Sequence, residues 1–387
     1  MDVAANMFES YFMAGFECST QRRRDDRRLD MVSATAHDRL AALDYRAVSR
    51  LGLHTVRDGV RWHLIETVPG LYDWSSFLPM LKASAEVGVQ VIWDLCHYGL
   101  PDWLDIWSPA FVEHFARFAA AVAGLVHAET GSRPVYCPIN EISFWSWAGG
   151  EVGYIHPCVE GKGADLKRQL VRAAIAAMGA IRAVDNRARF LLAEPLIHIS
   201  APAQPRQNQM EAEVHRLSQF EAFDLLSGRL EPELGGNASY LDILGLNFYP
   251  HNQWYFGGAT IPFGHPDYRP FRELLVEVQA RYQRPALIAE TGSEGTARPS
   301  WLHYVCAEAR AARDAGVQLL GICLYPILDY PGWDNDRRCQ AGLLGEADIT
   351  GQRKIYAALL EELRWQQQKE ALWTPLLPQE ISIEESR

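Results

Sequence analysis

Short apolar runs alternate with longer amphipathic segments along the whole chain. Eight runs have the length and composition of buried strands, and they are 10–17, 54–60, 89–96, 134–140, 188–194, 241–249, 285–290 and 317–325. The segments with apolar residues at helical spacing are 37–51, 76–88, 109–129, 164–185, 208–228, 270–283, 300–315 and 351–368. Strands and helices that alternate in this way predict an α/β protein with a parallel sheet.

The number and spacing of these units predict one closed barrel. They begin about every 45 residues, and eight of them are what a (β/α)8 TIM barrel requires. An open doubly wound sheet is the alternative, but no strand is followed by the glycine-rich turn that its dinucleotide-binding form needs. We expect a single catalytic domain over 1–387, with 366–387 a C-terminal extension that packs on the barrel or on a partner subunit.

The composition narrows the classes of partner. The chain has 387 residues, 48% of them hydrophobic, and a formal net charge of −11. A negative surface repels nucleic acid and anionic membranes, so neither is an expected partner. No apolar stretch reaches the roughly 20 residues that span a bilayer, and no secretory signal is visible. The seven cysteines are scattered without a CxxC pair. We therefore expect a cytoplasmic protein without a metal or another cofactor.

The active site of a barrel lies at the C-terminal ends of its strands. Polar residues at those ends are Glu17, Arg57, Arg61, His97, Asn140, Glu141, Glu194, Asn247, Tyr249, Glu290 and Asp329. Glu141 and Glu290 end strands four and seven, so they are expected to face each other across the mouth. Hydrolysis of an acetal needs one carboxylic acid to protonate the leaving oxygen and one carboxylate opposite it. The pair therefore indicates glycoside hydrolysis.

Six motifs in this order resemble those of the retaining β-glycosidases of glycoside hydrolase clan A, most closely family 1. PINE contains the clan's Asn-Glu pair, and ALIAETG is similar to the family's ITENG strand. VRDGVRW, DLCHYGLPDWL and DILGLNFYP resemble RFSISW, TLxHWDLPxxL and DFxGxNYY, and VPGLYDW recurs across the clan at this position. The resemblance runs from the first predicted strand to about residue 345.

The resemblance implies a double displacement with Glu141 as the general acid/base and Glu290 as the nucleophile. Arg57 and Tyr249 would keep Glu290 ionised. The further sugar-contacting or supporting positions that it implies are His97, Asn140 (through the sugar 2-hydroxyl), Asn247, Tyr325 and Trp333. The expected substrate is a small or oligosaccharide β-glycoside.

Two positions depart from the family's pattern. In LYPILDYPGWDN, set against WSLLDNFEW, the glutamate that binds the outer hydroxyls of the sugar falls on Gly332. Asp334 or Asp336 would have to replace it. The glutamine of the first strand is also displaced, so that Glu17 or Gln21 would serve there. The resemblance therefore does not identify the sugar.

Aromatic residues supply two further expectations. The clan commonly has a cis peptide after the aromatic residue of the eighth strand, and a following proline lowers its cost. We therefore predict that the Tyr325-Pro326 bond is cis. Trp145, with Trp103 and Trp147, is a candidate platform for the leaving group, and packing in the core is the alternative for each.

The sequence is compatible with more than one function. The principal reading is a retaining exo-β-glycosidase of the β-glucosidase or β-galactosidase kind. The alternatives are a carbohydrate-binding barrel without turnover, a transglycosidase, and a 6-phospho-β-glycosidase whose phosphate site is Arg337-Arg338. The charged run RRRDDRR (22–28) is either a solvated loop or a contact for an anionic substrate group. A homo-oligomer is also left open.

Overall fold

Eight parallel strands form a closed barrel in the computed structural model, which describes residues 7–131, 133–201 and 206–372. The strands are β1 (Phe12–Gly15), β2 (Thr55–Gly59), β3 (Gln90–Asp94), β4 (Val135–Cys137), β5 (Arg189–Pro195), β6 (Ile243–Asn247), β7 (Ala286–Thr291) and β8 (Leu319–Leu324). Each strand pairs with its neighbours in the sequence, and β8 pairs with β1. The predicted (β/α)8 barrel is confirmed.

The barrel is surrounded by helices that follow the strands. They are α1 (His37–Arg50), α2 (Leu78–Val87), α3 (Ala110–Thr130), α4 (Gly163–Val184), α5 (Glu221–Leu226), α6 (Phe271–Tyr282), α7 (Arg298–Asp314) and α8 (Ala357–Leu372). Further helices in the connections are Met31–Ala34, Trp62–Ile65, Ile142–Trp145 and Arg206–Leu217. No helix in the described ranges is both long and apolar enough to cross a bilayer.

Within the described residues, three pairs of short strands lie outside the barrel. They are His198–Ser200 with Gln253–Tyr255, Tyr330–Pro331 with Arg338–Cys339, and Leu344–Ala347 with Arg353–Ile355. The first pair is parallel and joins the loops that follow β5 and β6, and the other two are antiparallel. These additions belong to the connections and leave the eight-stranded barrel intact.

The predicted helix 208–228 is divided in the structure. Arg206–Leu217 and α5 are separated by a 3-10 turn over Ser218–Phe220. The Ser218 hydroxyl donates to the carbonyl of His215 (2.7 Å), and the Gln219 amide donates to that of Arg216 (2.6 Å). Side chains that bond to nearby carbonyls in this way compete with the regular helical pattern.

The predicted last helix also begins later than expected. Residues 351–356 belong to the hairpin Leu344–Ala347/Arg353–Ile355 and the residue after it, and α8 begins at Ala357. The carboxylate of Asp348 accepts the main-chain N–H groups of Thr350 (2.8 Å) and Gln352 (3.0 Å), which fixes the turn. Of the predicted extension 366–387, the part to residue 372 continues α8, and 373–387 lies outside the described residues.

The charged run 22–28, here called the arginine clasp, fastens loops at the mouth of the barrel. Arg22 donates to the carboxylate of Asp102 through Nε (3.0 Å) and Nη2 (2.7 Å), and Arg28 contacts the same carboxylate. Arg28 also donates to the carbonyl of Leu100 (3.0 Å). The clasp therefore joins the loop after β1 to the loop after β3, which is a structural role that neither sequence reading included.

Candidate active site

A cavity of about 1250 Å³ opens at the C-terminal ends of the barrel strands. Small-molecule pockets usually have about 300–1,000 Å³, so this cavity has room for more than one sugar. The predicted site residues that line it are Glu17, His97, Glu141, Tyr249, Glu290, Tyr325, Trp333 and Asp334. The two glutamates that the sequence placed at the ends of strands four and seven therefore reach one cavity.

Glu290 lies in β7 with both carboxylate oxygens occupied. Arg57 Nη1 donates to Oε1 (2.7 Å), and the hydroxyl of Tyr249 donates to Oε2 (2.9 Å). Burial raises the pKa of Glu290, the Arg57 charge lowers it, and the Glu141 charge raises it again, to about 7. The contacts predicted for Arg57 and Tyr249 are present.

Arg57 is held by a carboxylate that the sequence analysis did not single out. It lies in β2, fully buried, and donates through Nε (2.9 Å) and Nη2 (2.7 Å) to the two oxygens of Asp94 in β3. Burial opposes ionisation of Asp94, but the adjacent Arg57 charge lowers its pKa below the ordinary value. This two-point contact fixes the guanidinium plane, and the remaining Nη1 then points at Glu290.

Glu141 has only neutral hydrogen-bond partners. Its backbone is left-handed (φ 44°) at the start of the short helix Ile142–Trp145, just beyond β4. Asn247 Nδ2 donates to Oε1 (2.9 Å), and the hydroxyl of Tyr98 donates to Oε2 (2.6 Å). The two glutamates are therefore in different electrostatic settings, one beside a cation and the other beside neutral donors.

Asn140 links the hydrogen-bond partners of the two glutamates. Its Oδ1 accepts a hydrogen bond from Arg57 Nη2 (2.6 Å), so its Nδ2 faces the hydroxyl of Tyr98 (2.9 Å) and Nε2 of His97 (3.0 Å). His97 Nδ1 in turn lies 2.9 Å from Asp94 Oδ2. Asn140 is fully buried and not part of the cavity wall, whereas His97 lines the cavity with both ring nitrogens bonded to protein.

Glu194 supports the turn that carries Glu141. This carboxyl group at the end of β5 accepts the main-chain N–H of Ser143 (3.0 Å to Oε2), the second residue after Glu141. Burial raises the pKa of Glu194 to about 7, and the Glu141 charge adds to the shift. Glu194, one of the polar residues that the sequence places at a strand end, thus lies directly behind the Glu141 turn.

Of the three candidate platform tryptophans, Trp147 is the one in the described structure that lines the cavity, with half of its surface exposed. Trp145 is fully buried and donates its indole N–H to the carbonyl of His156 (2.7 Å). Trp103 donates to the carbonyl of Glu66 (2.7 Å). Trp145 therefore does not form the predicted platform, because the short helix directs it into the core.

The loop after β8 forms one rim of the cavity. The Tyr325-Pro326 peptide is cis, as predicted. Trp333 and Asp334 both line the cavity, and Arg23 of the arginine clasp donates to their main-chain carbonyls (3.1 and 3.0 Å). The Asp334 carboxylate accepts a hydrogen bond from Tyr154 (2.6 Å). The clasp therefore holds this rim in place.

The structure distinguishes between the two residues proposed for each position that departs from the family's pattern. Glu17 lines the cavity, and its Oε1 accepts the main-chain N–H of Ser19 (3.1 Å). Gln21 is fully buried and does not line the cavity. Asp336, the alternative to Asp334 beyond β8, pairs with Arg27 (2.7 Å) and does not line the cavity either. Glu17 and Asp334 are thus the members of these pairs that can meet a ligand.

The cavity wall is acidic. Its charged lining residues are Glu17, Glu141, Glu151, Lys167, Glu221, Glu290, Glu294, Asp334 and Arg337. The two cations are paired, Lys167 with Glu221 (2.5 Å) and Arg337 with Glu294 (3.0 Å). Arg338, predicted with Arg337 as a phosphate site, is exposed and pairs with Glu346 (2.7 Å). This balance of charge does not favour an anionic ligand.

Among the described residues, one group of three buried side chains, which includes the cavity-lining His97, has ligand types that bind metals. Cys18, Asp94 and His97 bring one such atom each within 4.8 Å of one another. Both Asp94 oxygens already accept hydrogen bonds from Arg57, so a metal ion here would face a buried guanidinium. The positive charge of Arg57 makes the donor set a poor fit for a cation.

Comparisons with known proteins give structural neighbours. No protein-family model matches the sequence, and no curated protein matches it. A β-glucosidase from Thermotoga maritima, solved in complex with glucoimidazole, is 14% identical, with 94% of this chain and 98% of that chain covered and a TM-score of 0.73.

Two further solved structures have similar scores. A β-glycosidase from Thermosphaera aggregans is 17% identical, with 86% and 85% of the two chains covered and a TM-score of 0.70. The AHE enzyme from Alicyclobacillus herbarius is 19% identical, with 87% and 88% covered and a TM-score of 0.74. At these identities the similarity establishes the fold alone. The chain therefore has the same (β/α)8 fold as these three solved structures.

Proposed function

We propose that the protein is a retaining exo-β-glycosidase related to glycoside hydrolase family 1. The observation that carries the proposal is the contrast between two carboxyl groups in one cavity. Glu290 has the cation Arg57 beside it, which favours the ionised form needed for attack. Glu141 has only neutral donors, Tyr98 and Asn247, and this suits a group that gives up and takes back a proton.

In the first step, Glu290 attacks the anomeric carbon. The bond from that carbon to the leaving oxygen breaks, its electron pair stays with the oxygen, and Glu141 donates its proton there. The product is a glycosyl ester on Glu290, and Glu141 is now a carboxylate. Arg57 and Tyr249 hold the attacking carboxylate in position throughout this step.

In the second step, Glu141 acts as a base. It removes a proton from a water molecule, whose oxygen attacks the anomeric carbon and displaces the Glu290 carboxylate. Glu141 regains its proton and Glu290 its charge, so both residues return to their starting states. Two displacements at one carbon leave the product with the configuration of the substrate. If a second sugar replaces water, the same intermediate gives glycosyl transfer.

The cavity favours a neutral glycoside over a phosphorylated one. Its lining carries more carboxylates than cations, and both lining cations, Lys167 and Arg337, are paired with glutamates. A phosphate group would add negative charge without meeting a free cation among the described lining residues. The volume of about 1250 Å³ suits a disaccharide or a longer β-glycoside.

The state of the cysteines bears on the cellular compartment of the protein. All seven cysteines are free thiols, and six of them are buried. Free thiols are the usual state in a reducing compartment, which supports the cytoplasmic location proposed from the sequence.

The test is covalent trapping. The protein is incubated with dinitrophenyl 2-deoxy-2-fluoro-β-glycosides of glucose, galactose, mannose and fucose. We expect one sugar to add to the intact mass with one dinitrophenolate released, and the labelled peptide to contain Glu290. NMR of the first product of the matching aryl glycoside should give the β-anomer. A carbohydrate-binding barrel without turnover would show neither product nor label, and an inverting enzyme would give the α-anomer.

The pH dependence of turnover follows from the state of Glu290. Since a protonated carboxyl group cannot attack, we expect kcat/KM to fall as the pH decreases through about 7, and by about tenfold per unit below that. Tyr249→Phe removes a donor to the charged form, so the acidic limb should move to higher pH. The measurement is kcat/KM for one aryl glycoside between pH 5 and 9. An acidic limb that Tyr249→Phe leaves in place would contradict this assignment.

A further inference from the structure

Tyr98 is a polar residue of the site for which the resemblance offers no role. It follows His97 in the loop after β3, where the corresponding motif TLxHWDLPxxL has tryptophan. Its hydroxyl donates to Glu141 Oε2 at 2.6 Å. An indole at this position has one N–H and no acceptor, so it could not both receive a hydrogen bond from an amide and donate one to a carboxylate.

The ring of Tyr98 is held on several sides by other rings. His97 (4.7 Å between centroids), Phe144 (5.4 Å), Trp333 (5.9 Å) and Trp145 (6.0 Å) surround it. The residue is 1% exposed although it lines the cavity. Close packing of this kind leaves the hydroxyl little freedom to move away from Glu141.

The backbone around Tyr98 is fixed as well. Tyr98 has a left-handed backbone (φ 67°), and the carbonyl of His97 accepts the main-chain N–H of Thr20 at 3.1 Å. A Cβ atom at the following Gly99 would lie 1.9 Å from Thr20 Oγ1. The loops after β1 and β3 therefore pack in direct contact, which sets the direction in which the Tyr98 ring leaves the main chain.

The direction of the hydrogen bonds is determined by Arg57. Arg57 only donates, so the amide oxygen of Asn140 faces it and the amide nitrogen faces Tyr98. The Tyr98 oxygen accepts from that nitrogen, and its own proton is directed to Glu141. Burial raises the pKa of Tyr98 well above its ordinary value, and the nearby Glu141 and Glu290 charges raise it further. The phenol therefore stays protonated and remains a donor.

We infer that Tyr98 is a positioning residue for Glu141 that strengthens it as an acid in the first displacement. The inference rests on the proposed glycosidase function. As the Glu141 proton moves to the leaving oxygen, negative charge develops on the carboxylate, and a fixed donor at 2.6 Å stabilises that charge more than it stabilises the neutral acid. Tyr98 keeps its own proton during this transfer.

The experiment compares leaving groups in Tyr98→Phe. The variant keeps the ring and removes the donor. We expect kcat/KM to fall about 10- to 100-fold for alkyl and unsubstituted phenyl β-glycosides, whose leaving oxygen needs a proton. The 2,4-dinitrophenyl glycoside leaves without one, so its kcat/KM should change less than about threefold. The slope of log kcat/KM against leaving-group acidity should therefore become steeper than in the unaltered protein.

A matched control and a rescue complete the test. Tyr282→Phe removes another buried tyrosine hydroxyl that donates to a carboxylate, Asp224 (3.0 Å), in the helical layer away from the cavity, and should leave the slope unchanged. Replacement of Tyr98 by 3,5-difluorotyrosine keeps the donor and should restore turnover of the poor leaving groups. The thermal unfolding midpoint of each variant shows whether it is folded.

The outcomes separate this inference from the proposed function. If the unaltered protein turns over no glycoside of the panel, the proposed function fails. If it retains configuration but Tyr98→Phe loses the same factor for every leaving group, or loses nothing, the positioning role is overturned while the function stands. If the difluorotyrosine protein is folded yet as slow as Tyr98→Phe on poor leaving groups, the donor is not what matters, and the inference is again overturned.

Discussion

Glu290→Ala is expected to lower kcat/KM by at least about 10⁴-fold for every β-glycoside that the protein hydrolyses. This loss corresponds to about 5.5 kcal/mol of transition-state stabilisation. Without the carboxylate that Arg57 and Tyr249 position, no covalent intermediate forms. An easily displaced leaving group does not replace a missing nucleophile, so the loss should be similar for alkyl and dinitrophenyl glycosides.

Sodium azide tests this assignment through the stereochemistry of the product. The truncated side chain leaves space on the face of the sugar opposite the leaving group, and azide can attack from there. A single displacement from that face gives the α-glycosyl azide from a β-glycoside. Formation of the β-glycosyl azide by Glu290→Ala, or substantial hydrolysis without azide, would show that Glu290 is not the nucleophile.

Glu141→Ala should produce the second-largest effect, and that effect should depend on the leaving group. General acid catalysis contributes about 10²- to 10⁴-fold, so a loss of that size in kcat/KM is expected for alkyl glycosides. The dinitrophenyl glycoside needs no proton in the first step, and its kcat/KM should be nearly retained. Its kcat should still fall, because the second step loses the base that activates water.

Azide again reports on the face of attack, with the opposite result. In Glu141→Ala the glycosyl ester on Glu290 still forms, and azide can enter from the side where Glu141 stood. Two displacements then give the β-glycosyl azide and restore kcat for the dinitrophenyl glycoside. An α-product, or equal losses for all leaving groups, would contradict the role of Glu141. Glu141→Gln serves as the control that keeps the volume of the side chain.

The barrel could be predicted because its evidence lies within short windows of sequence. Each strand is a buried apolar run, and alternation with helices then leaves few topologies. The boundaries were less accurate. The predicted strand 134–140 ends at Cys137, and the next residue is Pro138, which has no N–H to continue the ladder. Side-chain bonds within turns, as at Asp348, shortened the predicted last helix for a similar local reason.

Residues of the candidate site could be predicted where a side chain of suitable chemistry falls at the C-terminal end of a predicted strand. Glu141, Glu290, Arg57 and Tyr249 meet that condition, and their predicted contacts or positions are present. Asp94 was missed, although a carboxylate inside an apolar strand next to the strand of Arg57 is itself a sign of a buried ion pair.

Tyr98 and Trp145 could not be placed from spacing alone. The Tyr98 contact joins loops from two different strands, and its direction depends on a left-handed backbone that the sequence does not specify. Its replacement of a tryptophan in a known motif was nevertheless a visible signal. Trp145 is close to the mouth in sequence, but the orientation of a one-turn helix decides whether such a residue faces the cavity or the core.

The arginine clasp makes the rim of the cavity sensitive to the salt concentration. The rim bearing Trp333 is held by Arg23, and neighbouring contacts of the clasp are exposed ion pairs such as that between Arg27 and Asp336. Dissolved ions weaken exposed pairs of this kind, with a Debye length of about 8 Å at physiological ionic strength and about 3 Å at 1 M. At a salt concentration of about 1 M the rim that bears Trp333 should therefore become less firmly held. The buried Arg57–Asp94 pair beneath it should keep its geometry.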